Sequence, residues 1–136
     1  MCDIELSKKY EEIYITLGYH PEYANEITEE DLELLERQIQ ENKLKVVGIG
    51  EIGLDYYYTK ENKENQIKLF KRQIEIAKKY DLPIVVHSRE ATLDTYNILK
   101  EMNAKGVIHC FSGSIETAKE YIKIGFKLGI GGVVTF

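Results

Sequence analysis

Residues 82–87 read LPIVVH, and this run decides the fold. Asp81, Leu82 and Pro83 stop a preceding helix, because the residue before proline is pushed out of the α region. Ile84, Val85 and Val86 are then β-branched, too few for a helix and apolar on both faces, the pattern of a strand buried in a parallel sheet. Two further runs have the same shape: VVGIGE at 46–51 ends on Glu51, and KGVIHC at 105–110 carries His109 just as LPIVVH ends on His87. Three strand-like runs thus end on residue types that bind metal ions, and a parallel β/α fold gathers its chemistry at strand ends.

Helical patterns fill the intervals. Thr28 and Asp31 make a capping-box pattern ahead of Leu32, Leu35 and Ile39, in a helix ending near Lys43. Lys60 to Tyr80 carries Ile67, Phe70, Ile74 and Ala77 on one face, widened by Leu69 and Ile76. Helices follow over about Ala91 to Met102 and over Ser114 to Ile124, the latter ending at Gly125. Ile4 to Lys9 reads as the end of a helix, Ile13 to Leu17 as a strand and Gly18 to Tyr23 as a loop. The remaining strands are Lys45 to Gly50, Gly106 to Cys110 and Lys127 to Phe136, the last interrupted by Gly131 and Gly132. The expected fold is α/β, a partial TIM (β/α) barrel of about five parallel strands in a single domain over residues 1–136. A complete eight-stranded barrel typically needs about 200 residues or more.

Eighteen Lys and Arg against 23 Asp and Glu give a formal net charge of -5. That balance disfavours an electrostatic sheath around nucleic acid, although bound divalent cations can supply positive charge locally. Cys2 and Cys110 show neither zinc-ribbon nor redox spacing. No signal peptide and no apolar span of about 20 residues is evident, so the expected setting is the reduced cytoplasm, with no membrane.

Glu51 follows Gly48, Ile49 and Gly50, whose small size brings backbones close while the carboxylate leaves a strand end. It can bridge two cations; otherwise it is an N-cap acid near a turn. His87 and His109 each close an apolar run. A single such histidine is usually a hydrogen-bonded core residue, but two in equivalent positions reinforce each other. Intervals of 36 and 22 residues separate the three, each enough for one helix and its loops between parallel strands. Two imidazoles and a carboxylate with an open position match a catalytic metal site, whereas a structural zinc is usually closed by four ligands. Arg89 is placed to hold a phosphate oxygen or to pair with Glu90. Asp55 belongs to the site or caps the next loop, and His20 orients substrate or stands exposed before Pro21. Cys110, Phe111, Ser112 and Gly113 form a turn that can present N–H groups at a helix start. Among ten tyrosines, Tyr19, Tyr23 and Tyr56 to Tyr58 fall in loops, where rings can stack on unpaired bases.

GYHP at 18–21, GEIGLD at 50–55, PIVVHSREA at 83–91, HCFSGS at 109–114 and GIGGVVTF at 129–136 together resemble the TatD-type deoxyribonuclease family of metal-dependent hydrolases. The resemblance implies a β/α barrel holding two divalent cations (Mg, Mn or Zn) that hydrolyses phosphodiester bonds in DNA, single-stranded or at an end. It implies that Glu51 bridges the metals as the catalytic carboxylate and that His87 and His109 complete one site. Arg89, His20, Asp55 and Ser112 would lie toward substrate. The family's His-x-His pair and its last-strand aspartate have no counterpart in these residues, so the second site keeps little beyond Glu51. Impaired turnover is expected. The alternatives are a noncatalytic metal-binding or self-associating fragment and an amidohydrolase-like hydrolase of small esters or amides. Two unpaired strand edges also predict a homo-oligomer.

Overall fold

A computed structural model describes residues 2–135. The elements run α1 (Cys2–Lys9), β1 (Ile15–Leu17), a 3₁₀ turn (Pro21–Tyr23), α2 (Glu29–Glu41), β2 (Val46–Asp55), α3 (Lys63–Lys79) and β3 (Ile84–Arg89). They continue with α4 (Thr92–Glu101), β4 (Gly106–Ile108), α5 (Ile115–Lys123), β5 (Lys127–Leu128) and a 3₁₀ turn (Gly132–Thr135). All five strands are parallel and lie in the order β1-β2-β3-β4-β5. Strand order never reverses, so there is no switch point of the doubly wound kind. Helical crossovers link successive parallel neighbours, the layout of a partial (β/α) barrel.

The two faces of the sheet can be read from pairing and burial. Ile49, Ile52 and Leu54 of β2, with Ile84 and Val86 of β3, are fully or almost fully buried beneath the helices. Phe70, Ile74 and Ala77 of α3 belong to the same core, as the apolar stripe of that helix predicts. On the open face Gly50 lies beside Val85, Gly53 beside His87 and Asp55 beside Arg89. The capping box expected for α2 is present: Asp31 N–H donates to Thr28 Oγ1 at 3.2 Å and Thr28 N–H donates to Asp31 Oδ2 at 2.8 Å.

Several boundaries differ from the sequence reading, with β1 starting at Ile15 and not Ile13 and α3 at Lys63 and not Lys60 among them. The second strand continues five residues past Gly50, because β3 also runs on to Arg89 and pairs with it beyond a bulge at Glu51. A bulge leaves one residue out of the ladder and re-aims its side chain, and here that residue is Glu51. The fourth strand stops at Ile108, since Cys110 takes the left-handed conformation with φ 47° and turns the chain. The closing strand expected over Lys127 to Phe136 is a strand only at Lys127–Leu128. Gly129 still exchanges hydrogen bonds with Ile108 and Phe111, but after Gly131 the chain winds into the terminal 3₁₀ turn. Phe136 lies outside the described residues.

Candidate functional site

The bulge of β2 and the ends of β3 and β4 bring Glu51, His87 and His109 together. Glu51 Oε1 stands 3.0 Å from His87 Nδ1, and Glu51 Oε2 stands 3.7 Å from His109 Nε2. The other nitrogen of His87 lies 2.9 Å from Asp55 Oδ2. Glu51 and Asp55 are both acceptor-only when ionised, so the single proton of a neutral His87 ring can serve one of them, and the tautomer that leaves Nδ1 for a cation is the one with the proton on Nε2 toward Asp55. Nδ1 then turns a lone pair toward a carboxylate oxygen. Two acceptors 3.0 Å apart repel unless a proton or a cation lies with them, so the donor set fits a divalent ion bound by the Glu51 carboxylate, His87 Nδ1 and His109 Nε2. Asp55 would serve behind His87 as the carboxylate that orients a metal-binding imidazole.

His20 also enters the cluster: one ligand-type atom each from His20, Glu51 and His87 lie within 4.8 Å of one another. Its ring centroid is 4.5 Å from that of His87. Burial first, and the neighbouring His87 second, hold His20 below the usual imidazole pKa, so it favours the neutral form. Its Nδ1 accepts the Glu22 N–H at 3.2 Å at the start of the first 3₁₀ turn. A neutral ring whose Nδ1 accepts carries its proton on Nε2. While that cap holds, His20 offers the site an N–H donor rather than a lone pair.

The remaining candidates are placed as follows. Asp55 uses both oxygens internally: Oδ2 faces His87 and Oδ1 accepts the Tyr57 N–H at 3.0 Å. With its side chain only 12% exposed, it holds neighbours in place instead of reaching out toward a substrate. Arg89 and Ser112 share a cleft of about 320 Å³ with His109, Cys110 and Thr117. The Arg89 guanidinium lies 3.7 Å from the Tyr57 ring centroid. Cys110 Sγ is 3.3 Å from His109 Nε2, so this cysteine stands at the edge of the site.

Two residues escaped the sequence reading altogether. Gln66 and Gln73 are buried, two turns apart on α3, and each clips the backbone of a site loop. Gln66 Oε1 accepts the Asp55 N–H at 2.8 Å while its Nε2 donates to the Asp55 carbonyl at 2.9 Å. Gln73 treats Tyr19, the neighbour of His20, in the same way. The available signal was a seven-residue repeat of glutamine inside an apolar stripe, where an unpaired amide would be costly.

A family model described as TatD related DNase matches residues 3–136. The chain is 45% identical over 136 residues to the uncharacterized metal-dependent hydrolase YabD of Bacillus subtilis, covering 98% of this chain and 52% of that protein. Among solved structures, YJJV, a TatD homolog from Escherichia coli, superposes with a TM-score of 0.90 at 34% identity, over 99% of this chain and 53% of that one. A TatD family hydrolase from Entamoeba histolytica gives 0.83 at 34% identity, over 94% and 46%. The chain therefore spans about half the length of the relatives it matches.

Proposed function

Since the chain belongs to the TatD related DNase family, we propose that it acts as a metal-dependent hydrolase of phosphodiester bonds in DNA, at single strands or ends. The observation that carries this reading is Glu51, whose two oxygens face Nδ1 of His87 and Nε2 of His109 at the ends of neighbouring strands. Carboxylate and imidazole donors suit Mg²⁺, Mn²⁺ or Zn²⁺. Bound there, a divalent cation supplies Lewis-acid chemistry, drawing charge from a phosphoryl oxygen and easing deprotonation of the attacking water.

The chain's own groups complete the reading. Asp55 keeps the His87 proton on Nε2 so that Nδ1 stays available. Arg89 directs its forked donors toward a phosphate in the cleft, and the Tyr57 ring behind it restrains the guanidinium. His20 donates from Nε2 to a phosphate or leaving-group oxygen. Ser112 lines the same cleft and is exposed for contact with the strand. No helix among the described residues is long and apolar enough to cross a membrane, and two free cysteines suit the cytoplasmic setting we propose. The outer edges of β1 and β5 pair with no strand among the described residues, which supports association with a second copy. A monodisperse monomer in light scattering at micromolar concentration would count against that assembly.

The deciding experiment is nucleotide release from single-stranded DNA in Mg²⁺ and in Mn²⁺, beside a Glu51→Ala control. Release that needs both the cation and Glu51 supports the reading. A folded, metal-loaded chain that cleaves no phosphodiester overturns it.

A further inference from the structure

We propose that Tyr57 and Tyr58, with Arg89 stacked against them, form a platform for one unpaired base of a single-stranded nucleic acid, a proposal that rests on the phosphodiesterase reading above. Tyr57 is 54% exposed and Tyr58 80%, a large aromatic surface given to water at the functional end of β2. Their rings meet edge to face at 4.8 Å and 90°. The Arg89 guanidinium lies 3.7 Å from the Tyr57 centroid and 5.5 Å from that of Tyr58. Cation and rings thus make one surface, with phosphate-binding donors beside stacking faces.

The platform is tied to the reacting end. Tyr57 N–H donates to Asp55 Oδ1 at 3.0 Å, and Asp55 Oδ2 lies 2.9 Å from His87 Nε2. Tyr56 N–H donates to the Arg89 carbonyl at 2.9 Å, while the Tyr56 hydroxyl donates to Asp94 at 2.8 Å. A short series of contacts, Tyr57 to Asp55 to His87, therefore ties the aromatic loop to a candidate metal ligand. Charge favours such a platform. A net charge of -5 disfavours a basic coat for a polyanion, so contacts that do not depend on phosphate number gain weight. Stacking meets that need and tolerates any base, because every base has a π face.

The test uses fluorescein-labelled pentamers of dT and rU and a pentamer of abasic tetrahydrofuran sugars with the same phosphates. Anisotropy is read with metal-free protein in EDTA, so nothing is cleaved. We expect the base-bearing pentamers to bind more tightly than the abasic one. Tyr58→Ala weakens them about tenfold and leaves the abasic pentamer unchanged, whereas Tyr58→Phe retains binding. A difference between dT and rU with the same dependence on Tyr58 supports the platform and shows which sugar the site accepts. Equal binding of abasic and base-bearing pentamers, or equal weakening of both by Tyr58→Ala, overturns it. Cleavage of the same oligonucleotides in Mn²⁺ keeps the two readings apart. Glu51-dependent cleavage without base discrimination sinks the platform alone. Absence of all cleavage sinks the hydrolase reading, while anisotropy still decides whether a base is held.

Discussion

The side-chain amide of Gln73 closes both backbone hydrogen bonds of Tyr19: Oε1 accepts its N–H at 2.7 Å and Nε2 donates to its carbonyl at 3.0 Å. Gln73 is fully buried on α3, while Tyr19 belongs to the loop that carries His20. The helix that packs the sheet thus also sets the height of the site loop. Gln73→Leu fills much of the volume but leaves two backbone groups without partners, each costing about 1–3 kcal/mol. The expected loss in unfolding free energy is about 2–4 kcal/mol, seen as a lower urea midpoint at unchanged m. Gln73→Glu keeps an acceptor and an O–H donor while its new carboxyl is protonated and loses the donor when it ionises, so it should lie closer to wild type at low pH and fall toward Gln73→Leu as pH rises.

Gly53 and Gly125 separate two costs that are often confounded. Both have positive φ, 147° and 92°. A Cβ at Gly53 would run into the His87 carbonyl across the β2–β3 ladder, while one at Gly125 meets nothing within 4 Å. Gly125→Ala should cost only the left-handed strain of about 1–2 kcal/mol. Gly53→Ala must also push β3 away, for a total of about 3 kcal/mol or more, and it moves His87 off Glu51. Thermal denaturation of the two variants side by side checks the order.

Glu36 on α2 accepts from Lys79 Nζ at 2.7 Å and from the Tyr80 hydroxyl at 2.9 Å, joining α2 to the end of α3. The Lys79 hydrogen bond first, with that of Tyr80 and the lysine charge, holds its carboxyl below the usual value of 4.5. The unfolded chain therefore binds the proton more readily than the folded one, and stability rises with pH across this window. The contribution is complete above about pH 4.5 and fades as pH falls through the lowered pKa. Urea midpoints of wild type and Glu36→Gln should differ most near pH 6 and converge toward pH 3. A constant gap would mean that the carboxylate charge plays no part.

Where burial and period agree, the sequence is legible. Ile84 to Val86 read as a strand because every side chain there is apolar, and the capping box of Thr28 and Asp31 marks the start of α2 because its chemistry is local. His87 and His109 fall at one end of the sheet because each closes an apolar run and the intervals between them allow one helix per parallel crossover. The course of β2 past Glu51 was not legible, since glycines and an acid break the alternation that identifies a strand, and the pairing that rescues it comes from β3. The left-handed Cys110 was equally hidden, because no property of cysteine favours that conformation. Gln66 and Gln73 drew no reading from the sequence, and the backbone groups they clip explain their burial.

The pair His87 and Asp55 makes the sharpest statement about the metal. If His87 binds through Nδ1 with its Nε2 proton held by Asp55, then Asp55→Ala frees the ring to turn and to change tautomer, although no donor atom is removed. Affinity for Mn²⁺, followed by calorimetry or paramagnetic line broadening, should fall about 10–100-fold. Asp55→Asn retains an acceptor oxygen and should lose less. Glu51→Gln removes the charge between the two imidazoles and should weaken binding more than either. Wild-type Mn²⁺ affinity in Asp55→Ala, beside weak binding in Glu51→Gln, would mean that Asp55 does not orient His87 for the metal. The contact of Asp55 Oδ1 with the Tyr57 N–H supplies an internal control. Asp55→Ala should also loosen the aromatic loop, whereas Glu51→Gln, which touches the imidazoles alone, should leave the Tyr57 amide resonance in place.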